Sequence, residues 1–235
     1  MALDKRPARV AAMFDAIAAR YDLLNHVLSA GLDLRWRKVA IRSLGLTGSE
    51  RVVDVCTGTC DVALATVRAR PGAASVVGID FSAEMLRLGA AKVAGRDAGG
   101  RIALARGDAM RLPLPTGSMD AATVAFGIRN VERPERGLGE MYRVLRPGGR
   151  LAVLEFAIPA SRLVRAVYLP YFEHVLPGIG RVVSGHGSAY TYLPASVGSF
   201  IAPEAMIDYL GLCGFRRPEA RPLSFGIVML YTAEK

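Results

Sequence analysis

The stretch Arg51-Val-Val-Asp-Val-Cys-Thr-Gly-Thr-Cys-Asp61, followed about twenty residues later by Val76-Val-Gly-Ile-Asp80, decides how this chain folds. Val52, Val53 and Val55 are β-branched, the apolar run breaks at small residues around Gly58, and a helical pattern begins at Asp61. A strand, a tight turn and a helix start, in that order, aim backbone N–H groups and the positive end of a helix at a ligand. Small side chains let that ligand come close. The second segment reads as another buried strand ending in an acid, and in a doubly wound sheet such an acid reaches the ribose hydroxyls of a nucleoside. Asp80 is that acid. The turn holds one glycine, Gly58, flanked by Cys56 and Cys60, so it does not match the three-glycine dinucleotide fingerprint. A plainer alternative is an ordinary strand-turn-helix in which Asp80 only caps the helix starting near Ser82.

A chain of 235 residues, 51% hydrophobic and 22% charged, can bury a sizeable core and fits one domain with additions better than two. Met1 to Val10 mixes Asp4, Lys5, Arg6 and Arg9 and does not form a basic and apolar leader; nor is there an apolar run long enough to span a bilayer. The expected site of action is the cytoplasm. Three cysteines, Cys56, Cys60 and the distant Cys213, supply neither a disulfide framework nor a four-ligand metal site, so packing is their expected role. The formal charge of +9 invites a nucleic-acid reading, yet the arginines are scattered and no stacking aromatics interleave with them. No nucleic-acid partner is expected. Attraction to an anionic membrane surface accounts for the same surplus, with peripheral contact as the expectation.

Taken in order, Val10, Met13, Phe14, Ile17 and Tyr21 recur at helical spacing, and a second helical pattern runs from Asp33 through Leu44. Between them Tyr21-Asp-Leu-Leu-Asn25-His26 and Ser29-Ala-Gly31 read as a connecting segment. Residues 1–46 would be a helical lid over the strand ends, or a cover for a sheet edge. A cofactor-binding core spans 47–156, with strands at Ile102 to Ala105, Met119 to Phe126 and Arg150 to Phe156. Asp108 follows one strand, and Gly127-Ile-Arg-Asn130 leaves another, which places Arg129 and Asn130 beside a ligand. Glu155, a charge within so apolar a strand, is either paired or functional. Residues 157–201 form a helical insertion rich in aromatics (Tyr168, Tyr171, Phe172, Tyr190, Tyr192), either plain core or the wall of a pocket for a greasy substrate. Residues 202–235 hold a helix from Pro203 to Leu212 and a hairpin around Pro222.

Five alternating β/α units with a terminal antiparallel hairpin resemble the α/β class I methyltransferase fold, a Rossmann-like seven-stranded sheet that binds S-adenosylmethionine at the first turn. A sulfonium nucleoside asks less of that turn than a pyrophosphate does. Tyr21-Asp with Asn25, Ser29-Ala-Gly31, Trp36-Arg37, Phe126-Gly-Ile-Arg-Asn-Val131, Met141 to Arg150, Leu154-Glu-Phe156, His174-Val-Leu-Pro177, Tyr190 to Val197 and Phe225-Gly-Ile-Val228 together resemble the ubiquinone/menaquinone biosynthesis C-methyltransferase family. The likeness runs from about Met13 to Lys235. It implies S-adenosylmethionine as cofactor, with Asp54, Gly58, Thr59, Asp80, Asp108, Ala109 and Ala125 lining its site. It also implies a polyprenylated, lipophilic quinol as substrate, demethylmenaquinol or its benzoquinol equivalent, methylated at a ring carbon next to a hydroxyl. Many relatives have Gly where this chain has Cys60, and several have Ser in place of Ala125. A left-handed backbone at position 60 would be uncomfortable for any residue but glycine.

The chemistry can be argued on its own. A phenolic ring carbon is a weak nucleophile until its neighbouring hydroxyl is deprotonated, so catalysis is mostly positioning plus support for the phenolate. Arg129, which keeps its charge and offers several donors, is the candidate for that support, with Asn130 holding it or the substrate. Tyr21, Asp22 and Asn25 are candidates to arrange the proton's exit, and His174 either accepts it or is a core histidine. Two other classes stay open: a non-catalytic quinone or lipid binder on this fold, and a nicotinamide dehydrogenase. A small soluble phenol is the alternative substrate, and a homodimer is an alternative to a monomer.

Overall fold

The structure, a computed structural model, describes residues 5–69, 74–96, 100–175 and 187–235, with side chains left undescribed at 175 and 187–191. Leu176 and Pro177, and the side chain of Tyr190, lie outside the described residues. Seven strands form one sheet: β1 (Arg51–Val55), β2 (Ser75–Asp80), β3 (Ile102–Arg106), β4 (Met119–Ala125), β5 (Leu145–Phe156), β6 (Arg216–Leu223) and β7 (Val228–Glu234). Their order is β3-β2-β1-β4-β5-β7-β6, with β1 to β5 parallel and β7 antiparallel to both β5 and β6. The helices are α1 (Pro7–Leu28), α2 (Leu32–Ser43), α3 (Asp61–Ala69), α4 (Ala83–Gly95), α5 (Pro134–Val144), α6 (Arg162–Pro170), α7 (Gly187–Gly198) and α8 (Pro203–Leu212).

Both faces of the sheet are covered, which is why its central strands read as almost unbroken apolar runs. Val53 and Val55 of β1 pack on one face with Ile79, Val124, Val153 and Met229. Val52 turns to the other face with Val76, Ala121, Ala152 and Leu230. The strand order reverses between β1 and β4, and ligands of open α/β sheets bind in the crevice outside such a switch.

Several boundaries differ from those read in the sequence. The segment from Tyr21 to His26 is not a connection: it lies inside α1, whose proline start at Pro7 suits a first helical turn and whose inner face is Ile17, Ala18 and Leu24. The connection shrinks to Ser29–Gly31, with Ala30 and Gly31 left-handed at φ 49° and 76°. Strand β5 begins at Leu145 rather than Arg150; Leu145 pairs with Met119 and Arg150 with Ala121, so Arg146–Gly149 bulges out. The final hairpin turns at Ser224–Gly226, not at Pro222, which pairs with Met229 within β6. As the edge strand, β6 is where a proline is best tolerated.

Candidate active site

At the carboxyl ends of β1 and β4 the chain leaves the sheet through left-handed residues, Cys56 at φ 55° and Phe126 at φ 58°. Neither is a glycine, so each carries some backbone strain, of the kind that gathers at ligand sites. The two turns lie so close that a Cβ on Gly127 would stand 2.4 Å from the Cβ of Cys56. Only a glycine fits there. This junction floors a cavity of about 110 Å³, whose lining includes Cys56, Gly58, Asp80, Asp108, Ala109, Ala125, Phe126 and Asn130. Pro7, Val10, Ala11 and Phe14 of α1 roof it.

Asp80 stands at the end of β2, and its carboxylate accepts hydrogen bonds from the backbone N–H of Gly58 (2.8 Å) and of Ser82 (2.9 Å). Burial pushes its acid strength down, raising the pKa, while those donors pull the other way. Asp80 thus braces the turn as well as facing the cavity; the cap of α4 is Ser82, which accepts from the N–H of Met85. Asn130 leaves its Oδ1 buried without a partner among the described residues. An orphaned acceptor on the cavity wall, an acid at the end of β2 and the backbone around Gly58 suit the amino group and ribose of S-adenosylmethionine.

Two of the residues implied for the cofactor, Asp54 and Thr59, do not line this cavity. Asp54 is buried beneath it, accepting hydrogen bonds from the hydroxyls of Thr57 (2.6 Å) and Thr123 (2.8 Å). Burial pushes its pKa up to about 6. Thr59 turns outward into a charged cluster: its hydroxyl donates to Asp22 (2.5 Å) and accepts from Lys92 (3.1 Å), and Lys92 also pairs with Asp22 (2.5 Å) and Asp61 (2.7 Å). Arg37 joins Asp61 (3.0 Å) to Asp33 (2.6 Å), and Asp33 in turn meets His26 Nδ1 at 2.8 Å. Asp22, read as part of a proton exit, is therefore a tie between α1, the first turn and α4.

Cys60 is fully buried and left-handed at φ 69°, the conformation expected to strain a non-glycine residue. Its thiol fills the space that Gly89 leaves, since a Cβ on Gly89 would come within 2.4 Å of Sγ. Burial pushes the thiol up to about 12, so it stays protonated.

A second cavity of about 400 Å³ adjoins the first, and Phe14, Tyr21 and Phe126 line both. Its wall is largely apolar and aromatic, from Ile17 and Leu28 of α1, Trp36 of α2, Phe156, and Tyr168, Tyr171, Phe172, Tyr192 and Leu193 of the helical insertion. Arg129 and Arg37 are buried cations on its wall. The Nη1 of Arg129 donates to Glu155 Oε1 at 2.7 Å and to the Phe126 carbonyl, Nε donates to Ser196 Oγ at 3.3 Å, and the guanidinium lies 5.6 Å from the Phe156 ring centroid. The charge near the end of β5 is thus paired.

Tyr21 faces this cavity too, within hydrogen-bonding reach of Asn25, and burial raises its pKa. His174 is exposed in a turn after α6 and lines neither cavity. Asp33 and Arg37 line the larger one too but are not among the site residues expected from the sequence, where Arg37 enters only within the Trp36-Arg37 motif. In the fold they form a buried charge pair at i, i+4 on α2. Lys5 lines neither cavity; burial and then the charge of Arg129 lower its pKa.

A parallel sheet with an antiparallel β7, a crevice at the β1/β4 switch and an acid closing β2 define the class: a class I S-adenosylmethionine-dependent methyltransferase. Solved structures agree on the fold. A methyltransferase from Aquifex aeolicus superposes with TM-score 0.64 at 17% identity over 86% of this chain and 91% of its own, and one from Thermotoga maritima with TM-score 0.66 at 18% identity over 96% and 99%. The sequence profile of the ubiE/COQ5 methyltransferase family matches residues 2–235. The ubiquinone/menaquinone biosynthesis C-methyltransferase of Geobacter sulfurreducens is 46% identical over 99% of this chain and 91% of its own length. The demethylmenaquinone methyltransferase of Deinococcus radiodurans is 47% identical over 95% and 91%. The chain belongs to the ubiE/COQ5 methyltransferase family and is a C-methyltransferase that uses S-adenosylmethionine. That membership decides against the nicotinamide and non-catalytic readings.

Proposed function

We propose that the enzyme methylates a ring carbon beside a hydroxyl of a polyprenylated quinol, demethylmenaquinol or its benzoquinol equivalent, with the ring in the larger cavity and the cofactor in the smaller. One observation carries this arrangement: Phe14, Tyr21 and Phe126 form walls of both cavities, so two ligands seated there would meet. Asp80 would hold the ribose hydroxyls, with Gly58, Asp108, Ala109, Ala125 and Asn130 around the rest. S-adenosylmethionine, when bound, supplies an electrophilic methyl group.

The chain's own task is to make the ring carbon nucleophilic and to keep water away. Arg129 supports the phenolate oxygen that forms when the ring hydroxyl loses its proton, and it does so inside an apolar, low-dielectric chamber where a charge counts for more. Glu155 fixes the guanidinium and offsets the cost of burying it, leaving the rest of the fork for substrate. Tyr21 stays protonated and orients the ring oxygen. The proton leaves by Asp33 on the cavity wall to His26, whose side chain is 37% exposed to solvent. This route takes the place of the one through Asp22 and His174.

The polyprenyl tail outgrows the cavity and must leave it. Leu163 and Val167, one turn apart on α6, are 83% and 77% exposed, and Phe225, beside the cavity residue Ile227, is 84% exposed. A bilayer surface that carries the quinol would cover these side chains, and the surplus of arginine favours an anionic one. No described helix is long and apolar enough to cross a membrane, and the contact proposed here is a peripheral one.

Deletion of the gene should cause the demethylated quinone to accumulate, and the intact chain should restore the methylated one. An unchanged lipid quinone profile would overturn the reading. In purified enzyme, affinity should rise with tail length by up to about 0.8 kcal/mol per buried CH₂ until the cavity ends. No dependence on tail length would favour a small soluble phenol instead.

A further inference from the structure

We propose that the hydroxyls of Tyr168 and Tyr192 form a second oxygen-recognition point in the larger cavity, gripping the ring oxygen away from the reacting carbon and so selecting a two-oxygen ring over a monophenol. The proposal rests on the quinol reading above. Tyr168, Tyr171 and Tyr192 all line that cavity, but their hydroxyls differ. Tyr171 donates to the carbonyl of Leu28 at 2.8 Å and ties the insertion to α1. Tyr168 and Tyr192 keep buried hydroxyls without a partner among the described residues.

Native proteins seldom bury a hydroxyl unpaired, because it forfeits its hydrogen bonds to water and gains nothing in return. Exceptions of this kind are explained when a ligand supplies the missing partner. The Tyr168 ring is held in place. Tyr168 is stacked on Phe172 with centroids 5.0 Å apart, and Tyr192 sits one turn before Ser196, which accepts from Arg129, so it shares that helix face. The two phenols also converge electrically. Burial raises the pKa of each, and the charge of Arg129 lowers each in part. They remain protonated and act as donors. Arg129 and the two unpartnered tyrosine hydroxyls of the insertion thus give the cavity more than one point at which a substrate oxygen can be bound, which suits a ring bearing two oxygens.

A site built to hydrogen-bond a substrate oxygen rejects an analogue that lacks it, because its own polar groups are then left unpaired. The test compares a 1,4-dihydroxynaphthalene with a 1-naphthol of the same side chain, using the full enzyme with S-adenosylmethionine. Wild-type enzyme should favour the diol. Tyr168→Phe and Tyr192→Phe should each lower kcat/KM for the diol roughly tenfold, mainly through KM, and shrink the diol-to-monophenol ratio accordingly. Their thermal midpoints should hold steady or rise, since each loses only an unpaired hydroxyl. Tyr171→Phe, which loses a satisfied bond, should lower the midpoint and shows how a structural tyrosine behaves. Wild-type turnover of the diol with an unchanged ratio in both variants would overturn the tyrosine assignment alone, as would equal losses on both substrates with lowered midpoints. Wild-type enzyme inactive on both rings would overturn the quinol reading, and this proposal with it.

Discussion

The two cavities share three side chains and are built in opposite ways. The smaller is made of backbone: strand ends, left-handed turns at Cys56 and Phe126, and an acid braced by the N–H groups of Gly58 and Ser82. The larger is made of side chains brought from α1, α2, β5 and the insertion, elements far apart in the chain. A backbone-built site is rigid and tolerates few changes of conformation but many of side chain. A side-chain-built site is the reverse, and its specificity rests on a few polar groups in an apolar wall. Between them runs the charged cluster of Asp22, Thr59, Lys92, Asp61, Arg37 and Asp33, which reaches from the cofactor turn to the wall of the larger cavity.

The contrast is most sharply tested at Arg129. Arg129→Ala should lower turnover about 100- to 1,000-fold while cofactor affinity changes little, because its proposed partner is the developing phenolate. The same change leaves Glu155 buried without its cation, at a cost of about 3–5 kcal/mol, so Arg129→Ala should be measured beside the double variant Arg129→Ala/Glu155→Gln. Equal losses in turnover and cofactor affinity would place Arg129 in the smaller cavity and blur the division.

Asp80 is the matching test on the backbone side. Asp80→Ala should weaken S-adenosylmethionine binding roughly tenfold or more, through the loss of charge-assisted hydrogen bonds. Calorimetry on a folded variant with unchanged affinity would remove Asp80 from the site.

Asp54 offers a pH test of the floor beneath the cofactor turn. Its pKa is raised by burial to about 6, so between about 4 and about 6 the native state holds a proton that the unfolded chain has already released. Stability therefore falls as pH rises from about 4 to about 6, by about 3 kcal/mol at most. Asp54→Asn should flatten that slope in thermal melts. A wild-type midpoint that climbs across the window, with no change in the Asn variant, would show that the carboxyl stays ionised.

The smallest effect is expected at Cys60. Cys60→Gly relieves a left-handed backbone and empties the space against Gly89, two effects of about 1 kcal/mol and opposite sign. Cofactor affinity should stay within about twofold. A large loss would show that the thiol's packing beneath the turn matters to binding more than its backbone strain does.

Much of the cofactor side was legible in the chain because its signals are local. A β-branched run, a break at Gly58 and an acid closing the next strand lie within thirty residues, and the structure puts Gly58, Asp80, Asp108, Ala109 and Ala125 on one cavity. Asp54 and Thr59 come from the same motif yet point elsewhere: Asp54 is a strand residue held by Thr57 and Thr123, and Thr59 is held by Asp22 and Lys92. The substrate side was legible only as composition. An aromatic insertion can be core or pocket wall, and nothing in Tyr168 or Tyr192 distinguishes it from Tyr171.

By itself, then, the sequence determined the order of β and α units, the cavity-facing turn after the first strand and the family to which the chain belongs. Local periodicity and short-range motifs carry that information. Only the tertiary structure decided that Glu155 answers Arg129, that Asp22 ties the lid to Thr59 and Lys92, that Asp33 faces the larger cavity, and that His174 stays outside it. The reason is physical. A buried charge or hydroxyl takes its role from the partner that packing brings within about 3 Å, and those partners lie tens of residues away along the chain.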